Sequence, residues 1–113
     1  MQRYCLAVDL KDDVKLIAEY EQYHQLIWPE IKASIQDGGI INMEIYRVEN
    51  HLFMIMETTA DFSFEQKSAM DASNTKVQEW EELMWKYQQA LPTAKKGEKW
   101  VLMNKIFDLK EQP

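Results

Sequence analysis

The sequence predicts an α+β fold in the order β-α-β-β-α-β, with helices gathered on one face of an antiparallel sheet. Three observations predict it. Runs of strand-forming residues occur at 4–10, 40–48, 51–59 and 100–109. Between the first and second runs, and between the third and fourth, apolar residues recur at intervals of three and four. The two middle runs are joined only by Glu49-Asn50, the length of a hairpin turn.

Tyr4 to Leu10 is apolar, ends at a charged cluster and reads as the first strand. Asp12 and Asp13 stand before Val14, which suits a helix cap and an acidic first turn. Leu16, Ile17, Tyr20, Tyr23, His24 and Ile27 then follow helical intervals, with Tyr20 and His24 one turn apart on one side. Trp28 falls one turn further on. Pro29 disfavours helical backbone at Trp28, so the spacing predicts a kink or restart, and a second segment running to about Gln36. Asp37-Gly38-Gly39 stops that segment and supplies a glycine for a left-handed cap.

Ile40 to Val48 is the second strand and His51 to Thr59 the third. Leu52 to Met56 is almost continuously apolar, the pattern of a strand covered on both faces. Asp61 or Ser63 can cap a helix over Phe64 to Ala72, and Ser73-Asn74 can start another. Val77, Trp80, Leu83, Met84, Tyr87 and Leu91 continue that helix until Pro92. Thr93 to Lys99 is a polar loop, Trp100 to Leu109 the last strand, and Lys110 to Pro113 a tail. This order is the ferredoxin-like arrangement. A second copy packed sheet to sheet is the simplest cover for the other sheet face.

The 113 residues make one domain, 1–113, able to bury a core without disulfides or metal. A net charge of −6 with no basic run argues against nucleic acid and against an anionic membrane surface. The single cysteine, Cys5, excludes an intramolecular disulfide and reads as a small buried hydrophobe. No apolar stretch is long enough to span a bilayer, and Met1-Gln-Arg-Tyr does not open a secretory signal; a cytoplasmic location is the default expectation. Two of the three glycines form the helix stop, and the one left cannot make a Gly-rich phosphate loop. Two distant histidines and one cysteine give no metal-ligand spacing, and no cofactor is expected.

The remaining candidate for chemistry is His24, whose side chain can move protons both ways near neutrality. Tyr20 offers a hydroxyl on the same side, and Trp28 an aromatic face. Periodicity alone also explains these positions as the core stripe of an amphipathic helix, and on spacing alone that is the stronger account. Trp80 opens the apolar stripe of the last helix. Glu44, Glu57 and Asp9 lie in or at the end of strands, where a carboxylate faces either a polar cavity or solvent. His51 begins a strand after a turn and is expected to be exposed.

Over nearly its whole length the sequence resembles the L-rhamnose mutarotase family. The densest stretch is Tyr20-x-x-x-His24-x-x-Ile27-Trp28-Pro29-Glu30, followed by Gly39-x-x-Asn42-x-x-Ile45-Tyr46, Leu52-Phe53, Met56-Glu57 and Trp80. The resemblance implies a ferredoxin-like unit that pairs into a dimeric α/β barrel. It also implies an isomerase that interconverts the α and β anomers of a free 6-deoxyhexose. In that family the proton donor matches His24, a substrate-binding tyrosine matches Tyr20, and a sugar-contacting tryptophan matches Trp80.

Two positions depart from the pattern. Met43 stands where the family has a second substrate tyrosine, and Glu81 where it has the second of a Trp-Trp pair. The changes leave the acid–base centre intact but alter the walls of the sugar site, which brings L-fucose in beside L-rhamnose. The expected substrate set is thus Tyr20, Trp80, Met43, Glu81 and Trp28 around a catalytic His24. The expected partners are a small neutral monosaccharide and a second copy of the chain. A cofactor-free monooxygenase and a non-catalytic sugar-binding or regulatory domain are the alternatives the same fold admits.

Overall fold

The computed structural model describes all 113 residues. In chain order the elements are β1 (Gln2–Leu10), α1 (Val14–Tyr23), α2 (Pro29–Asp37), β2 (Ile40–Val48), β3 (His51–Thr58), α3 (Phe64–Ala72), α4 (Thr75–Trp85), β4 (Gln88–Gln89) and β5 (Val101–Leu102), with a 3-10 turn at Leu109–Glu111. The architecture is α+β. The sheet runs β2-β3-β1, and two short strands share the far edge of β1. Leu10 is registered with Gln88 there, and Leu6 with Leu102. Every pairing is antiparallel.

The caps lie where the side chains can satisfy the orphan amides of a helix start. Asp13 accepts from the backbone N–H groups of Lys15 and Leu16 at 2.9 and 3.0 Å. Ser63 accepts from Gln66 at 3.2 Å, and Asn74 from Lys76 and Val77. Pro29 is the first residue of α2, where its missing N–H costs nothing.

Period-two alternation sorts β1 and β3. Leu6, Val8 and Leu10 of β1 and Leu52, Met54 and Met56 of β3 face the helices and are buried. They meet Tyr20, Ile31, Val77, Trp80 and Met84. Val8 and Leu10 are 0 % and 1 % exposed, and burying each contributes about 1.5–3 kcal/mol. The other sheet face carries Cys5, Ala7, Phe53 and Ile55, all half-buried. Of the four α-helices α3 is the one with no fully buried residue. It is tied to α2 by Lys67, which reaches Asp71 and the Ser34 hydroxyl. No helix is long and apolar enough to cross a membrane.

Three elements differ from the sequence reading. α1 stops at Tyr23, so Ile27 lies outside it despite its helical spacing, while Trp28 caps α2 from extended backbone as the restart at Pro29 requires. α4 stops at Trp85, short of Pro92. There the Tyr87 carbonyl accepts from the backbone N–H of Lys11 at 2.8 Å, so pairing with the β1 edge overrides the helical spacing of Tyr87 and Leu91. The last strand is reduced to two residues. After Met103 donates to the Cys5 carbonyl at 2.8 Å the chain leaves the edge, and Ile106 and Phe107 are 95 % and 64 % exposed.

Gly39 joins α2 to β2 at φ +92°, and a Cβ there would lie 3.1 Å from Thr59 Oγ1. Gly97 has φ +80° with open space around it. Gly97→Ala should lower stability by roughly 1–2 kcal/mol through backbone strain alone, and Gly39→Ala by more, since it adds crowding. Chemical denaturation of the two variants beside the unaltered protein checks the order.

Candidate functional site

α1 ends in a tightened turn: the His24 N–H bonds the Glu21 carbonyl at 3.1 Å instead of the Tyr20 carbonyl it would reach in a continuing helix. The Tyr20 carbonyl is taken by the His24 ring, whose Nδ1 lies 2.8 Å away. A carbonyl only accepts, so Nδ1 carries the proton and Nε2 presents a lone pair. Burial lowers the His24 pKa below 6.5, and the bond to Tyr20 opposes that in part. The imidazole is therefore neutral near pH 7 and ready to accept a proton.

Tyr20 stacks obliquely on His24 with centroids 4.2 Å apart. Its hydroxyl accepts from Gln88 Nε2 at 3.2 Å. Burial pushes the Tyr20 pKa up to about 12, so the phenol keeps its proton and serves as a donor. Trp80 stands edge-on to His24 at 5.6 Å and edge-on to Trp28 at 5.1 Å.

These groups border a cleft of about 650 Å³ between the helices and the sheet. The volume lies within the range of small-molecule sites. Tyr20, His24, Trp80, Met43 and Glu81 all line it. Trp28 does not; it backs Trp80, with the Lys76 ammonium 5.8 Å from its ring. A smaller hollow of about 400 Å³ borders Tyr20 and His24 from the side of Arg47 and Tyr46.

The remaining acidic candidates lie elsewhere. Glu57 shares its strand face with Phe53 and Ile55, away from the helices. Glu44 accepts from the Tyr46 hydroxyl at 3.1 Å on an exposed part of β2. Asp9 holds His51 at 2.8 Å and raises its pKa. No three His, Cys, Asp or Glu side chains come together in a way that could hold a metal ion.

Two cleft residues escaped the sequence reading. Gln88 sat in a segment whose spacing looked helical. Lys99 sat in a polar loop, yet its side chain is only 9 % exposed; its ammonium lies 2.9 Å from both the Glu81 carbonyl and carboxylate. It also stands 5.0 Å from the Trp85 ring centre. The Glu81 carboxylate is thus paired in place. A single polar side chain adds nothing to an apolar periodicity, so neither position could be found from pattern.

Comparison with known proteins adds a second line. The family model for L-rhamnose mutarotase matches residues 3–109. The chain is 45 % identical to a protein of Xanthomonas campestris pv. campestris named L-fucose mutarotase, across 98 % of this chain and 90 % of that one. It is 37 % identical over 71 residues to a protein of Phocaeicola vulgatus named L-rhamnose mutarotase, 61 % of each chain. The crystal structure of an L-rhamnose mutarotase from Formosa agariphila superposes with a TM-score of 0.71, covering 96 % of this chain and 99 % of that one. At 21 % identity this match speaks for the fold.

The two histidines should titrate on opposite sides of 6.5: His24 below it, because of burial, and His51 above it, because of Asp9. For His24 the unfolded chain binds the proton more readily. Its contribution to stability is therefore present above pH 6.5 and is lost as pH falls through the lowered value. For His51 the sign reverses: its contribution is present below pH 6.5 and is lost as pH rises through the raised value. Proton NMR of the imidazole resonances checks both, and Asp9→Asn should return His51 toward 6.5 while leaving His24 unmoved.

Proposed function

The chain belongs to the L-rhamnose mutarotase family, and on that premise we propose that its cleft interconverts the α and β anomers of a free 6-deoxy-L-hexose. The enzyme is an isomerase of the aldose 1-epimerase type. L-Fucose is the substrate best supported, because the relative matched at 45 % identity along nearly all of both chains carries that name. Met43 and Glu81, the two departures from the family pattern, both line the cleft, which supports a site shaped for a hydroxyl arrangement other than that of L-rhamnose. Family membership favours this reading over oxygenation or passive sugar binding.

The observation that carries the mechanism is the 2.8 Å contact of His24 Nδ1 with the Tyr20 carbonyl, which leaves Nε2 to accept a proton. Nε2 takes the proton of the anomeric hydroxyl; the C1–O1 bond gains double-bond character and the C1–O5 bond breaks. The imidazolium so formed is steadied by the Tyr20 carbonyl at 2.8 Å and returns the proton to the ring oxygen. The open aldehyde turns about C1–C2, and the same steps in reverse close the ring on its other face. One proton moves and no redox change occurs. Tyr20, protonated throughout, donates to a sugar oxygen, and Trp80 supplies an apolar wall for the ring.

A homodimer belongs to the same proposal. Phe53, Ile55, Cys5 and Ala7 make an apolar sheet face that a second copy would cover. A cytoplasmic location is the further expectation.

Saturation-transfer NMR between the anomer signals of L-fucose, L-rhamnose and glucose tests the reading. Exchange should accelerate for L-fucose most and for glucose least. His24→Ala should slow it by about 10²–10⁴-fold while the circular dichroism spectrum is retained. Wild-type rates in that variant would remove His24 from the chemistry.

A further inference from the structure

Gln88 is 3 % exposed, lines the cleft, and has a buried amide oxygen with no hydrogen-bond partner. Its other amide atom is committed, because Nε2 donates to the Tyr20 hydroxyl at 3.2 Å. The backbone around it is fixed. Gln88 is registered with Leu10 at the β1 edge, and the preceding carbonyl of Tyr87 accepts from Lys11 at 2.8 Å. No other buried side-chain polar atom is left unpaired. A glutamine with a purely structural task would spend both ends of its amide on the protein, since an acceptor left dry and unpaired is costly.

We propose that Gln88 is a specificity-determining residue of the sugar site: its amide oxygen accepts a hydrogen bond from one ring hydroxyl, while its amide nitrogen holds Tyr20. This rests on the anomerase reading of the same cleft and names a contact within it. By donating to the Tyr20 oxygen, Gln88 leaves the phenolic hydrogen free for a second sugar oxygen. The pair Tyr20 and Gln88 then offers one donor and one acceptor in fixed relation, a two-point reader of hydroxyl geometry. Sugars that differ in one hydroxyl would satisfy the donor and strand the acceptor, which is how a buried polar group discriminates strongly. Neither group needs to change charge, so the discrimination acts on binding more than on the proton transfer at His24.

The test is a crossed panel. L-Fucose and its 2-, 3- and 4-monodeoxy analogues are compared on the unaltered protein and on Gln88→Met, an unbranched apolar side chain of similar length. Binding is read by NMR titration and exchange by saturation transfer. In the unaltered protein one deoxy analogue should bind roughly tenfold more weakly than L-fucose. In Gln88→Met that one penalty should vanish and the others should persist. Penalties unaltered by the substitution, or a uniform loss for every sugar, would overturn the assignment.

A second measurement needs no variant. The side-chain carbonyl carbon of Gln88, labelled with ¹³C, should move downfield on saturation with L-fucose and not with the discriminated analogue. Equal shifts with both would overturn the proposal even if the methionine variant fails to fold. Binding without accelerated exchange in the unaltered protein would sink the anomerase reading alone, while the titration panel would still decide the role of Gln88.

Discussion

The site depends on where α1 stops. A helix end leaves carbonyls without backbone donors, and here the Tyr20 carbonyl is satisfied by the imidazole of His24. That one bond fixes the ring's orientation, settles which nitrogen holds the proton, and places a weakly negative helix terminus behind the imidazole. Had α1 run on through His24, the backbone N–H would have taken the carbonyl and the ring would have been free to turn. Pro29 provides the clearance, since it starts α2 and commits Trp28 to extended backbone at φ −60°, ψ 137°.

The aromatic packing serves the same end by another route. Trp80 is 8 % exposed and wedged against His24, Trp28 and Tyr23. A ring so enclosed has little freedom left to lose, and it makes the surroundings dry enough to lower the affinity of His24 for a proton. Trp28 and Lys76 lie behind that ring and act on the cleft only through it. The cleft is otherwise bordered by sheet residues such as Met54 and Met56, which also belong to the core. Fold and site therefore share a wall, and the rigidity of the one is that of the other.

Much of this was legible because it follows from local rules. Asp13, Ser63 and Asn74 cap helices, Pro29 opens one, Gly39 turns a corner with positive φ, and alternation in β3 gives its buried face. His24 and Tyr20 were singled out by residue type and spacing, and both line the cleft. What was not legible depended on competition between distant segments. The spacing of Tyr87 and Leu91 asks for helix, but the open edge of β1 offers hydrogen bonds that the helix cannot match at that point. The same competition brought Gln88 to Tyr20 across 68 positions of sequence. Lys99 reached Glu81 through a loop whose course no periodicity encodes.

The loose attachment of α3 bears on how a ligand enters. Phe64, Lys67 and Asp71 of this helix border the cleft, yet none of its residues is fully buried, so little apolar area is lost when it lifts away. Among the helices it has the least burial to oppose local opening, and its ties run to α2 and not to the end of α1. On the proposed reading, local opening of this one segment would admit and release a sugar while His24, at the end of α1, keeps its place.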